Sequence, residues 1–198
     1  MSKLTELRKH LKPGQVYRRA DLEAWSNAVD RHLVVLMKDG TLQKLSAGLY
    51  YRPKAGVFGV LPPDDQELVR SFLKDDEFLI TSPNDYNRLG VGTTQLYNKR
   101  VVYNHKRHGE FLLGGRMFTF YSKHRFPKKL SDEFLLVDLL NNLNNLAEDK
   151  DVLLQNIAIK VRAMDTKKLR KSVTDFGSVK AKGILSQHLQ QSEGEYVH

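Results

Sequence analysis

Residues 26–52 read SNAVDRHLVVLMKDGTLQKLSAGLYYR, and this stretch decides the fold of the N-terminal part of the chain. Ser26 is a good N-cap, Val29, Leu33, Leu36 and Met37 recur at helical spacing, and Asp39-Gly40 supplies a stop. The spacing predicts one amphipathic helix with that apolar face buried. Its other face offers Asn27, Asp30 and Arg31, short or forked polar side chains of the kind that reach base edges and phosphates. Beyond Gly40, two short apolar runs at 41–45 and 49–52 are hinged at Ser46-Ala47-Gly48. A glycine near the tip accepts positive φ, so the chain can reverse within three residues. A helix joined at once to a hairpin is the second half of a winged helix-turn-helix.

The residues before this stretch supply the first half. Leu4, Leu7 and Leu11 mark one face of a helix that Pro13-Gly14 ends, Val16-Tyr17 is a short extended piece, and 19–25 is a second helix with Leu22 and Trp25 inward. Only a residue or two separates Trp25 from the next helix, which forces the steep packing by which a helix-turn-helix presents its second helix to a groove. On this reading Asn27, Asp30 and Arg31 face the major groove and Lys38 lies nearer a phosphate. Arg18, Arg19, Lys44 and Arg52 are the expected phosphate contacts, which position a module without reading sequence. The competing reading of the same residues is an ordinary three-helix core with a solvated polar face. Arg52-Pro53-Lys54-Ala55-Gly56 reads as a linker, which puts the expected domains at 1–54 and 60–198.

The 198 residues, 40% hydrophobic and 28% charged, have the composition of a globular chain and argue against extensive disorder. No run approaches the ~18 apolar residues that span a bilayer, and the N-terminus has no apolar signal region, so the expected location is the cytoplasm and no membrane partner is expected. The absence of cysteine excludes disulfides and thiolate metal sites. The net charge of +9 is uneven: residues 1–54 carry eleven basic against five acidic side chains, 55–130 twelve against eight, and 131–198 nine against ten. Such a balance favours an anionic partner, nucleic acid first.

The remainder predicts an α+β arrangement, a small sheet and then C-terminal helices. A helix at 64–74 uses Leu68, Phe72 and Leu73, and a strand occupies 78–81. Ser82, Pro83 and Asp85 make a capped helix start that Gly90 stops. Extended runs at 100–103, 110–113 and 116–121 come next, the last two hinged at Gly114-Gly115. Helical periodicity then covers 131–146, where Phe134, Leu135, Val137, Asp138, Leu139 and Leu140 lie on a helix apolar around more than half its circumference and expected at the centre of the second core, as well as 149–164, 167–176 and 178–190, with a polar tail at 191–198 expected to fray.

The pattern Gly40, Leu42, Leu45, Gly48, Tyr50, within Lys38-Asp39-Gly40-Thr41-Leu42 and Leu45-Ser46-Ala47-Gly48-Leu49-Tyr50-Tyr51, resembles the AbiEi-type antitoxins of bacterial type IV toxin–antitoxin, or abortive infection, operons. The continuation Ile80-Thr81-Ser82-Pro83-Asn84-Asp85-Tyr86-Asn87-Arg88-Leu89-Gly90 is similar to the segment beyond the wing in that group, and the resemblance covers residues 1 to about 145. It implies a DNA-binding transcriptional repressor that binds double-stranded DNA at its own promoter. It also implies a second domain that opposes a cognate nucleotidyltransferase-like toxin. The alternatives are a protein-interaction module without specific DNA binding and an RNA-processing enzyme.

A second basic run, Lys99, Arg100, Lys106, Arg107, Arg116, Lys123, Arg125, Lys128 and Lys129, is opposed only by Glu110. It reads as a surface for a partner protein, as an extension of a nucleic-acid surface with Tyr97, Tyr103, Phe118 and Tyr121 for stacking, or as a sheet edge kept soluble by charge. Signals of catalysis are poor. Gly90-Val91-Gly92-Thr93-Thr94 lacks the lysine and spacing of a phosphate loop, and His105 and His108 have only Glu110 nearby. No catalytic residue, metal or cofactor is therefore expected.

Overall fold

The computed structural model describes residues 2–194, so residues 195–198 of the tail expected to fray lie outside the described residues. The fold is mixed α+β. It forms two compact units, one running up to Phe78 and including Lys106–Phe120, the other made of Leu79–His105 and the chain from Tyr121 onward.

The first unit opens with α1 (Lys3–His10), β1 (Val16–Arg18) and α2 (Arg19–Leu22), which continues as a 3₁₀ turn over Glu23–Trp25. Then come α3 (Val29–Lys38), β2 (Gln43–Ser46) and β3 (Leu49–Tyr51). The strands form an antiparallel sheet in the order β1-β3-β2, with Tyr17 and Lys44 both opposite Tyr50 and a bulge between Lys44 and Ser46. The apolar positions read from the sequence are its core: Leu7, Leu22, Leu33, Leu36 and Leu42 are buried. Each such leucine contributes about 1.5–3 kcal/mol by leaving water. Trp25 is only half-buried and stacks its ring on His10, centroids 4.7 Å apart.

The stretch expected as a linker is instead a hairpin, β4 (Lys54–Gly56) and β5 (Gly59–Leu61), and the first compact unit continues well past residue 54. The Tyr51 hydroxyl donates to the Leu61 carbonyl at 2.8 Å and holds this hairpin to the end of β3. Next, α4 (Asp65–Leu73) is capped by the Asp64 side chain, and Glu67 accepts the Val16 N–H of β1 at 2.7 Å.

The second unit begins with β6 (Phe78–Thr81), the 3₁₀ helix Pro83–Leu89 and β7 (Arg100–Asn104). Ser82 and Asp85 make the expected capping box and Gly90 the stop, but the helix they bound is 3₁₀. The chain returns to the first unit as an antiparallel hairpin of β8 (Gly109–Leu113) and β9 (Arg116–Ser122). Phe72 of α4 lies against the Phe111 and Phe120 rings, at 5.0 and 5.3 Å. At the hairpin turn, Gly114 N–H donates to the Leu45 carbonyl of β2 at 3.1 Å. Gly114 has φ +56°, and a Cβ there would come within 3.2 Å of the Leu45 side chain, so glycine suits this approach.

Four helices complete the second unit: α5 (Asp132–Asn142), α6 (Lys150–Arg162), α7 (Thr166–Phe176) and α8 (Val179–Gly194). Ser131, Asp149 and Asp165 cap the first three through backbone N–H groups of the opening turns. Every residue from Phe134 to Leu140 is buried, which makes α5 the centre around which α7 and α8 pack. No helix among the described residues is long and apolar enough to cross a membrane.

Candidate nucleic-acid interface

The helix expected to begin at Ser26 begins at Val29, because Ser26 is spent on the turn. Its hydroxyl accepts the Ala28 N–H at 3.2 Å and sits 2.7 Å from His32 Nδ1, while Ala28 precedes the helix with no side-chain cap of its own. Asn27 therefore projects from the connection between the helices. Val29, Leu33 and Leu36 are buried as the periodicity requires, and the opposite stripe of Asn27, Asp30, Arg31, Val34 and Lys38 is exposed. Val34, 61% exposed, is an addition to the residues expected from the sequence. An apolar side chain amid polar ones on such a face has the chemistry to meet a thymine methyl.

Three of the expected phosphate contacts have partners inside the protein. Arg19 donates through Nε and Nη2 to the two carboxylate oxygens of Asp30 at 2.7 and 2.6 Å, and through Nη1 to Glu23. These hydrogen bonds hold the Asp30 carboxyl below its ordinary range and the Arg19 guanidinium above its own. The fork links the start of α2 to the first turn of α3. Both residues are well exposed, so the pair adds little stability. Arg18 closes on Asp21 through Nε at 3.0 Å, and Arg52 donates to the Thr41 carbonyl at 3.1 Å. By contrast the side chains of Asn27, Arg31, Lys38 and Lys44 are exposed and have no hydrogen-bonding or ionic partner among the described residues.

The hairpin of β2 and β3 presents Lys44 outward. Its turn relies on Gly48 at φ +70°, and the Gly48 carbonyl accepts the Arg19 N–H at 2.9 Å. That bond ties the turn to the start of α2.

The second basic run is divided between the units and does not act as one strip of free charge. In the first unit Lys106 pairs with Asp75 at 2.8 Å, Arg107 lies 4.7 Å above the Phe72 ring, and Arg116 bridges Asp65 at 2.5 Å and the Pro63 carbonyl at 2.7 Å. In the second unit Lys99, Arg125, Lys128 and Lys129 are exposed, Arg100 is half-buried, and the Lys123 ammonium lies 3.9 Å above the centre of the Tyr103 ring. Of the aromatic residues considered for stacking, Tyr103 and Phe118 are buried.

The second unit also contains a polar centre that the sequence does not announce. Asp138, 1% exposed, accepts the Tyr86 hydroxyl at 2.8 Å and the Tyr103 hydroxyl at 2.7 Å. Burial pushes its carboxyl above the ordinary range and raises both tyrosine hydroxyls as well. The available signal is a lone carboxylate in a helix apolar around most of its circumference. Such a residue must find partners or pay desolvation.

No family model matches the sequence, and no curated protein matches it. Among solved structures it is similar to the crystal structure of the RV2827C protein from Mycobacterium tuberculosis, with a TM-score of 0.60. The two sequences are 16% identical, and the match covers 96% of this chain and 75% of that one. At this identity the likeness extends to the fold alone.

Proposed function

We propose that the chain is a DNA-binding transcriptional regulator whose segment from α1 to β3 is a winged helix-turn-helix, with α3 as the recognition helix and the β2–β3 hairpin as the wing. The observation that carries this reading is the exposed stripe of α3. Arg31 and Lys38 stand there around Val34, with Asn27 in the connection just before the helix, their side chains without internal partners among the described residues, while the opposite side is core. Asn pairs with adenine, Arg with guanine and an apolar side chain with the thymine methyl, so the stripe can read bases and Lys44 can reach a phosphate. Asp30 and Arg19 neutralise each other at the rim and fix the approach of α3. Asn27→Ala with Arg31→Ala is expected to lose about 1–3 kcal/mol per base contact on the preferred site and nothing on random duplex. Unchanged discrimination in a competition titration would count against the reading.

The resemblance to AbiEi-type antitoxins extends the proposal. The DNA is the protein's own promoter, the chain is a repressor in the cytoplasm, and the second unit opposes a nucleotidyltransferase-like toxin. Co-expression of the neighbouring toxin gene with and without this chain tests that role through growth.

One observation favours protein docking as a second reading. At the tip of the β4–β5 hairpin Val57 and Phe58 are fully in solvent, and Val60 beside them is 58% exposed. An uncharged tip of this kind has the character of a binding hot spot. Phe58→Ser weakens toxin capture on this reading and leaves DNA affinity unchanged.

A further inference from the structure

A half-buried lysine in the second unit lies against an aromatic face, with Asp138 as an electrostatic neighbour but no carboxylate in a direct ion pair with it. Lys123 caps the ring of Tyr103, and burial pushes its ammonium below the ordinary lysine range. No acidic side chain lies within ion-pair distance of it among the described residues. A cavity of about 270 Å³ opens beside it, walled by Phe126, Phe134 and Phe176. A second, of about 430 Å³, shares Lys123, Tyr103 and Phe176 with the first and reaches Asn145, whose amide is exposed and unpartnered. The sizes are near the lower end of small-molecule sites, about 300–1,000 Å³. His124 and Arg125 continue the chain at the rim, both exposed and without ion pairs among the described residues.

Two carboxyl groups also line the first cavity, and each is already answered. Asp138 accepts two tyrosine hydroxyls, and Asp175 pairs with Lys171 at 3.2 Å. The cavity therefore has a cationic end and an aromatic wall. A partly desolvated ammonium that makes no direct ion pair costs free energy, and a multiply charged anion recovers it through charge-assisted hydrogen bonds. Phe176 and Phe126, the latter already in ring contact with His105 at 4.7 Å, give the aromatic surface that a nucleobase takes, and two adjacent cations, Lys123 and Arg125, suit a phosphate better than a single carboxylate.

The geometry points to a nucleoside phosphate site in the second unit, with phosphate on Lys123 and Arg125, base against Phe126 and Phe176, and Asn145 beside the ribose or the base edge. The same chemistry occurs in a free nucleotide and at the phosphorylated end of an RNA strand. This inference is independent of the DNA-binding stripe on α3.

Isothermal titration of the full chain with each of the four nucleoside monophosphates, inorganic phosphate, a nucleoside and a 5′-phosphorylated RNA oligomer tests it. At least one monophosphate is expected to bind saturably and at least tenfold tighter than phosphate or nucleoside alone. Lys123→Met is expected to weaken it tenfold or more, and the exposed Arg125→Ala, which leaves the core intact, several-fold. Arg31→Ala changes nothing here, which separates failure of this site from failure of the DNA face. An RNA end that binds tighter than the monophosphate assigns the site to a strand, and one that does not assigns it to a free nucleotide. No saturable binding of any monophosphate, phosphate binding as tightly as nucleotide, or unaltered binding by both variants overturns the inference.

Discussion

Replacing Asp138 separates its hydrogen bonds from its charge. In the folded chain its two oxygens accept the Tyr86 and Tyr103 hydroxyls, at 2.8 and 2.7 Å, in a site 1% exposed. Asp138→Ala removes both acceptors, and a buried hydroxyl left without a partner costs about 1–3 kcal/mol, so the variant is expected to lose roughly 2–6 kcal/mol. Asp138→Asn keeps an acceptor for one hydroxyl and an amide donor for the other, and should cost less than about 1.5 kcal/mol at acidic pH. The pH dependence has a definite sign. Burial raises the folded-state pKa of Asp138, so the folded protein holds this proton more tightly than the unfolded chain does. Its contribution is complete below the ordinary carboxylate pKa and is lost as pH rises through the raised value. Asp30, Asp39 and Asp75, whose pKa values are lowered, behave in the opposite way and are common to both proteins. Urea unfolding of wild type and Asp138→Asn across that window, monitored by circular dichroism, isolates the effect. The asparagine variant gains relative to wild type as pH rises. A difference that stays constant with pH, or an alanine variant that costs under about 1 kcal/mol, would refute this account of Asp138.

Other substitutions probe the first unit. Leu36→Ala opens a cavity in the core behind α3 and should cost about 2–5 kcal/mol in the same urea experiment, with DNA affinity falling only where the fold is lost. Lys44→Ala should reduce the slope of log affinity against log salt by about 0.9, measured on specific and random duplex alike, because a phosphate contact releases one counterion. Phe58→Ser should shift unfolding by no more than about 0.5 kcal/mol, since the ring touches solvent and not core.

The burial of Val29, Leu33 and Leu36 is legible in the sequence because helical periodicity is a direct record of which side faces the core. The start of α3 is not, since Ser26 has the composition of an N-cap and only its bond to the Ala28 N–H and its contact with His32 show that it serves the turn. The hairpin at 54–61 resembles a linker in sequence because its neighbourhood includes Pro, Lys and Gly, and because its apolar side chains point to water on both strands, leaving no alternation to detect. The pairing of Arg19 with Asp30 joins residues on different helices, so a count of basic side chains along the sequence treats Arg19 as free when its charge is engaged. Asp138 stands in plain sight within an apolar run. Periodicity assigns such a position to the core without saying that two distant tyrosines supply its hydrogen bonds.

The measurement that bears most directly on the proposed function is a fluorescence-anisotropy titration of the duplex just upstream of the gene against random duplex, at two salt concentrations. The account predicts a preference of about 1,000-fold or more for the upstream duplex that persists at the higher salt, as specific readers show. Equal binding to both, collapsing together as salt rises, would mean that the positive charge of the N-terminal segment attracts phosphate without reading sequence, and would contradict the claim that α3 is a recognition helix.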